Sequence, residues 1–443
     1  MPYIANTDNE HKKMLSAIGI DCIDELFNDI PEQFKINSLS IKEGMSEQEV
    51  LVHCKNLSNR NAHNLINFVG GGFYDHYIPA AIDALASRGE FFTAYTPYQP
   101  EVSQGSLQAI FEYQSGICRL TDMDVANASL YDGGTALYEA AMMALRITRR
   151  NKIILDSGVN PIYRNMLHCY TSNLSIDFFE IDVKHGQSSR EKIDAALDTD
   201  TAAIILQNPN FFGAVDDFSD IVEMAHKKGA LVIMSVYPVS LGILKTPGDM
   251  GADIVTGEGQ SLGIPLSFGG PYLGFMACNI KHVRKMPGRI AGETVDSKGR
   301  RGFVLTLQAR EQHIRRAKAM SNICSNEALC ALRAILFLSL VGKTGIEELA
   351  CLCTARAEYA KTRINQIKNI QVKKSAPTFN EFTIELPYDA GNIIGKMIEK
   401  GFAAGFPLGR YYKGMENCLL VAVTEKRTVE EIGLYSECLE ALV

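Results

Sequence analysis

The chain has 443 residues, 46% of them hydrophobic and 21% charged, with a formal net charge of −7 and a sequence pI near 5.8. This is ordinary globular composition at a length that allows two or more domains, and an acidic balance without a long basic run excludes the usual nucleic-acid-binding surface. The eleven cysteines are scattered, and the closest pair, Cys351-Leu-Cys353, has neither zinc-ligand nor CxxC spacing, so reduced thiols in a cytoplasmic protein and no metal site are expected.

Met1-Pro-Tyr-Ile-Ala-Asn-Thr-Asp8 has no basic stretch followed by an apolar one, and no secretory leader is expected. Apolar residues recur at helical spacing over His11–Ile18 and Ser46–Asn56, the second opened by a Ser46/Glu49 capping box. Gly70-Gly-Gly-Phe-Tyr-Asp-His-Tyr-Ile-Pro79 is either a ligand-facing loop or a turn that packs aromatics under the core. Phe91–Gly105 follows, with Pro97 and Pro100 holding the backbone extended. It presents Tyr95, Tyr98, Gln99, Glu101, Ser103 and Gln104 ahead of a helix over Leu107–Arg119. A polar ligand or a neighbouring subunit would suit this loop, and so would a plain surface role with packed tyrosines.

Asp132-Gly-Gly-Thr135 opens a helix that runs through Arg146. Free N–H groups and the positive dipole end there suit a phosphate, and a simple helix cap explains the same residues. Strands are predicted over Lys152–Asp156, Ser175–Ile181, Thr201–Asn208 and Ala230–Val236, with a helix over Asp217–Lys228. Strand–helix–strand units of this length predict a mostly parallel sheet covered on both faces, with ligands beyond the carboxyl ends of its strands.

A further strand, Ala252–Val255, runs into the glycine-rich loop Thr256-Gly-Glu-Gly-Gln-Ser-Leu-Gly-Ile-Pro-Leu-Ser-Phe-Gly-Gly-Pro271, which contains no lysine. Arg284–Asn326 is dense with arginine and reads as a solvated loop followed by a helix face, or as a surface for an anionic cofactor or a partner. Leu332–Val341 is apolar but shorter than the ~20 residues of a membrane span. Val341-Gly-Lys-Thr344 lacks the first glycine of a phosphate-binding loop, since Phe337 stands there. Helices and the strands Glu381–Leu386 and Leu419–Val423 complete the chain. The expected division is a helical segment over 1–90, a large α/β domain over 91–325 and a smaller α+β domain over 326–443.

Tyr95-Thr-Pro-Tyr-Gln-Pro-Glu-Val-Ser-Gln-Gly105, Asp132-Gly-Gly-Thr-Ala136, Gly302-Phe-Val-Leu-Thr-Leu-Gln-Ala-Arg-Glu-Gln-His-Ile-Arg-Arg316, Gly70–Pro79 and Ser321-Asn-Ile-Cys324 together resemble the P-protein family of the glycine cleavage system. The resemblance covers nearly the whole chain. It implies the aspartate-aminotransferase fold (fold type I) of pyridoxal phosphate (PLP)-dependent transferases. It also implies glycine dehydrogenase (decarboxylating) activity, in which glycine loses carbon dioxide and its aminomethyl group passes to the lipoyl disulfide of H-protein.

Length and the missing lysine match the N-terminal half of that family, subunit 1 of its two-chain form. Gln260 stands where the PLP lysine is expected, and Ser235 where an aspartate would pair with the pyridine nitrogen. A glutamine forms no imine and a serine does not stabilise a pyridinium. The resemblance therefore implies PLP bound covalently by a partner, subunit 2, in a heteromer of two plus two. Tyr95, Tyr98, Gln99, Glu101, Ser103 and Gln104 are the candidates for orienting glycine, and Ser321, Asn322 and Ser325 for meeting the partner's cofactor phosphate. Two other readings remain open: a self-sufficient PLP enzyme using another lysine, with Lys245 the nearest, and a non-catalytic scaffold.

Overall fold

The computed structural model describes residues 5–36, 38–183, 186–373 and 376–443. Met1–Ile4, part of the segment on which the leader expectation bears, lie outside the described residues. Two compact units divide the chain, Met1–His63 and Asn64–Val443. In the first, helices α1 (Asp8–Ile18) and α2 (Glu47–Ser58) both start from capping boxes, Thr7 with Glu10 and Ser46 with Glu49. Each box satisfies two N–H groups that a bare helix start would leave to solvent.

The second unit is built on a seven-stranded sheet. Its strands are β1 (Val125–Ala126), β2 (Lys152–Asp156), β3 (Asp177–Ile181), β4 (Thr201–Asn208), β5 (Leu231–Val236), β6 (Ile254–Glu258) and β7 (Gly274–Cys278), in the order β1-β7-β6-β5-β4-β2-β3. Strands β3, β2, β4, β5 and β6 pair in parallel, and β7 and β1 add an antiparallel edge. This is the mostly parallel sheet the sequence predicts.

Side-chain alternation puts Ala203 and Ile205 of β4 in one core cluster and Ile204 and Leu206 in another. The first cluster includes Leu137, Ala140 and Ala144 of α4 (Gly133–Thr148), and the second includes Ile221, Val222 and Ala225 of α6 (Ser219–Lys227). Helix α3 (Gln104–Thr121) precedes α4 in sequence, and α5 (Pro161–Tyr170) lies between α4 and α6. Each fully buried aliphatic side chain stabilises such a core by about 1.5–3 kcal/mol. Register places Gln207 beside Ser235 and Ser235 beside Thr256, so the carboxyl ends of β4, β5 and β6 form one rim.

The arginine-dense stretch differs from its expectation. Instead of a solvated loop and a helix face, it begins with an antiparallel hairpin of β8 (Ile290–Val295) and β9 (Arg301–Thr306). Ala291, Phe303 and Leu305 turn inward onto Leu107 and Ile110 of α3. The period of two is present in Phe303 and Leu305, but charged residues in the intervening turn obscure it in the sequence. Helix α7 (Ala328–Ile364) is long and apolar by composition, but Gly342, at φ +60°, breaks it into two helices.

A four-stranded antiparallel sheet completes the unit. It is formed by β10 (Gln371–Val372), β11 (Glu381–Glu385), β12 (Phe406–Pro407) and β13 (Cys418–Ala422), in the order β10-β11-β13-β12. Its core is shared with α8 (Ala390–Glu399), α9 (Val429–Glu440) and the second half of α7.

Candidate functional site

The rim at the carboxyl ends of β4–β6 is closed by the chain itself. Gln260, on the loop after β6, is 2% exposed. Its Oε1 accepts the Tyr74 N–H at 2.8 Å, and its Nε2 donates to the Tyr74 carbonyl at 3.1 Å and the Ile264 carbonyl at 2.8 Å. The amide is thus used on both sides and fixes the Gly70–Ile78 segment over the rim. On that segment Tyr74 is buried and its hydroxyl donates to Glu381 Oε2 at 2.7 Å, while Glu381 Oε1 accepts the Gly71 N–H at 2.6 Å. A side chain at Gly70 would fall on the Glu381 carboxylate, which is why glycine stands there. Of the two readings of this stretch, packing beneath the core describes Tyr74; Tyr77 is exposed.

The helix start at Asp132 is likewise satisfied internally. Asp132 Oδ1 accepts the Thr135 N–H at 2.8 Å, a plain N-cap. The free N–H of Gly133 donates at 2.9 Å to Glu258 Oε2, and Glu258 Oε1 accepts from the Gln260 and Leu273 N–H groups at 3.0 Å each. A carboxylate of the chain therefore sits where an anion would bind the helix. Burial pushes the Glu258 carboxyl up to about 7, opposed by its N–H donors, and pushes Glu381 up to about 7 as well.

Gly72, Tyr74, Asn160, Tyr163, Ser235, Tyr237 and Glu258 line one cavity of about 30 Å³, and a second, more open one of about 340 Å³ lies beside Gln260 and Lys426. The smaller space holds a water molecule, which needs at least about 10–15 Å³, and little more. PLP does not fit this crevice: the anchor is an engaged glutamine, Ser235 offers no charge to a ring nitrogen, and the anion cradle is filled. Lys245 is no substitute, because its ammonium is held by Asp217 at 3.0 Å and Ser219 at 2.8 Å, and it does not line the crevice.

The other candidate residues are distributed differently. Tyr95 is 84% exposed and Tyr98 49% exposed, on a loop that makes one turn of 3₁₀-helix over Pro100–Val102. Gln99 and Glu101 are exposed and Ser103 is half-buried. Gln104 is exposed too, but its amide bonds to its own chain: it donates to the Pro100 carbonyl at 2.7 Å and the Phe303 carbonyl at 2.9 Å, and accepts the Phe303 N–H at 2.8 Å. It clamps the loop to β9. Ser321 donates to Glu139 at 2.7 Å, Asn322 is exposed, and Ser325 accepts from Arg289 at 3.2 Å.

Arg289 also donates to the Tyr98 hydroxyl at 2.8 Å, so the structure brings Tyr98 and Ser325 onto one guanidinium. Reading the sequence by motif missed Arg289, Glu258 and Glu381. Arg289 is one cation in a run of many, and the two glutamates are isolated acids with distant partners, Gly133 being 125 positions from Glu258 and Gly71 310 positions from Glu381.

Residues 1–438 match the family described as "Glycine cleavage system P-protein". The chain belongs to that family. Curated relatives of this P-protein chain include two named "Probable glycine dehydrogenase (decarboxylating) subunit 1". One, from Geotalea daltonii, is 56% identical over 100% of both chains. The other, from Maridesulfovibrio salexigens, is 53% identical over 100% of both.

A solved glycine decarboxylase (P-protein) of the glycine cleavage system, in inhibitor-bound form, superposes over 100% of both chains with a TM-score of 0.92 at 40% identity. A glutamate decarboxylase from Lactobacillus brevis shares the fold alone, with a TM-score of 0.68 at 11% identity, 94% of this chain and 96% of that one being covered. The fold is that of the PLP-dependent fold-type-I enzymes, and the P-protein family uses that cofactor. The chain is a subunit-1 type of the P-protein, and so has a partner subunit in glycine dehydrogenase (decarboxylating).

Proposed function

We propose that this chain supplies one side of a shared active site whose PLP is held covalently by a lysine of the partner, subunit 2, in a cytoplasmic assembly of two plus two. The observation that carries the reading is the contrast at Gln260: an amide whose donor and acceptor are both engaged, with Tyr74 and Ile264, stands at the anchor position. PLP on the partner supplies the electron sink for decarboxylation. Tyr95, Tyr98, Gln99, Glu101 and Ser103 orient glycine and exclude water beside it, with Gln104 holding their loop from behind. Ser321, Asn322 and Ser325 offer hydrogen bonds to the cofactor phosphate from across the interface. Lipoylated H-protein then receives the aminomethyl group, and its disulfide is reduced.

Glycine–bicarbonate exchange, assayed on this chain, on the partner and on their mixture, tests the proposal. Exchange in the mixture, with borohydride fixing the phosphopyridoxyl group on the partner, is the expected result. A stoichiometric phosphopyridoxyl-lysine on this chain alone refutes it.

A further inference from the structure

Arg289 lies immediately before β8 and is only 4% exposed. A guanidinium buried that deeply needs its charge and donors met by fixed partners, and its rigid fork can hold several acceptors at once. Its partners come from three segments, around Tyr98, Glu311 and Cys324–Ser325. Nη2 donates to the Tyr98 hydroxyl at 2.8 Å and the Cys324 carbonyl at 2.7 Å, and Nη1 donates to the Ser325 hydroxyl at 3.2 Å. The guanidinium carbon also lies 5.3 Å from the centre of the Tyr98 ring, and Nε is 3.8 Å from the Glu311 carboxylate. His313, 3.6 Å from that carboxylate, meets the Tyr98 ring edge-on with centroids 5.7 Å apart.

Arg310 provides the contrast. It too is buried, but its donors go to the main-chain carbonyls of Met286, Gly288 and Leu307, as a residue that only braces its own loop would direct them. Arg289 instead spends two of its donors on hydroxyls, those of a half-exposed tyrosine and of Ser325. A half-exposed tyrosine on a loop ordinarily samples several rotamers. Held at its hydroxyl by Arg289 and at its edge by His313, Tyr98 has one orientation, and that orientation is tied to Ser325.

We propose that Arg289 is a positioning residue for the glycine reaction: it joins Tyr98 and the Cys324–Ser325 turn into one preorganised surface that meets the partner's cofactor site. The inference rests on the shared-site reading above.

The test uses the full heteromer carrying Arg289→Met, Arg289→Lys, Tyr98→Phe, Tyr98→Ala or Ser325→Ala. Losing the geometry is expected to lower kcat by roughly tenfold to a hundredfold in Arg289→Met, with a smaller change in KM for glycine. Affinity of the heteromer for PLP, titrated by absorbance, is expected to fall about tenfold. Arg289→Lys recovers only part of either loss, because an ammonium does not reproduce the fork. Arg289→Met combined with Tyr98→Phe is expected to lose less than the product of the two single losses, since both break the same bond.

An Arg289→Met heteromer that assembles with wild-type kcat, KM and PLP affinity overturns the inference, even if its Tm is lower. So do losses that simply multiply in the double variant. Should Arg289→Met fail to assemble, the same readings on Arg289→Lys decide. If Tyr98→Ala and Ser325→Ala lower kcat while the Arg289 variants do not, only the positioning role falls. If all of them leave kcat unchanged, the shared-site reading falls with it.

Discussion

The crevice beyond β4–β6 and the loop over Phe91–Ser103 are both polar, and both are candidates for chemistry on sequence grounds. They differ in where their polar groups are spent. In the crevice, Gln260, Glu258 and Glu381 direct every side-chain bond at the chain's own backbone or at Tyr74. On the loop, Tyr95, Gln99 and Glu101 face solvent. A buried polar group that is fully paired rigidifies a fold, whereas an exposed one is free to pair with something else. The difference teaches that, in this chain, the polar groups around Gln260, Glu258 and Glu381 serve the fold, while the polar groups left unpaired lie on the loop.

Substitution should separate the two regions sharply. The largest effect is expected at Glu258. Glu258→Ala strands the buried N–H groups of Gly133, Gln260 and Leu273, and at about 1–3 kcal/mol for each unsatisfied group the loss of stability should reach about 3–5 kcal/mol in denaturant unfolding. A loss below about 1 kcal/mol would mean that water reaches the helix start and that the crevice is not sealed.

The pH dependence comes next. Burial raises the Glu258 carboxyl from 4.5 to about 7, so the folded state holds a proton that the unfolded state releases first. The stabilisation is fully present below the unfolded value and is lost as pH rises through about 7. Glu258→Gln removes this term. Wild type should therefore lose about 3 kcal/mol relative to Glu258→Gln between about pH 4.5 and pH 7, and a pH-independent difference contradicts it.

Gln260→Lys restores the amine without restoring the anchor. The Tyr74 N–H loses its acceptor, at a cost of about 1–3 kcal/mol. Borohydride treatment with PLP should leave no phosphopyridoxyl group on this chain, because Ser235 offers no charge to the ring nitrogen and Glu258 fills the anion cradle at Gly133. Formation of that adduct would show the crevice to be openable.

Much of this was legible in the sequence, and the parts that were not share a cause. Periodic apolar runs such as Thr201–Leu206 fix the parallel sheet, because a strand buried on both faces has no polar alternative there. The absent lysine was visible as well. What local pattern could not disclose was pairing at long range: Gln260 with Tyr74, Glu381 with Gly71, Arg289 with Tyr98 and Ser325. Each partner is separated by more than eighty positions except Ser325, which lies 36 positions from Arg289. The hairpin after Arg289 was hidden because charges crowd its turn, so the stretch reads as solvated when only one face of it is.

The smallest effect on stability, and the one that best sharpens the contrast, is expected at Tyr95 and Glu101. Both are exposed, and no side-chain hydrogen bond or ion pair ties either to the described residues. Alanine at either position should leave unfolding within about 0.5 kcal/mol of wild type, as for surface positions generally. Turnover of the heteromer should nonetheless fall, because an exposed tyrosine and carboxylate on a proline-stiffened loop are held ready for a second molecule. Stability and turnover then report opposite things in the two regions: Glu258→Ala weakens the fold, while Tyr95→Ala weakens only the reaction. Wild-type turnover in both Tyr95→Ala and Glu101→Ala, measured with saturating partner and glycine, would remove those two side chains from the site and leave Tyr98, held by Arg289, as the loop's remaining aromatic contact.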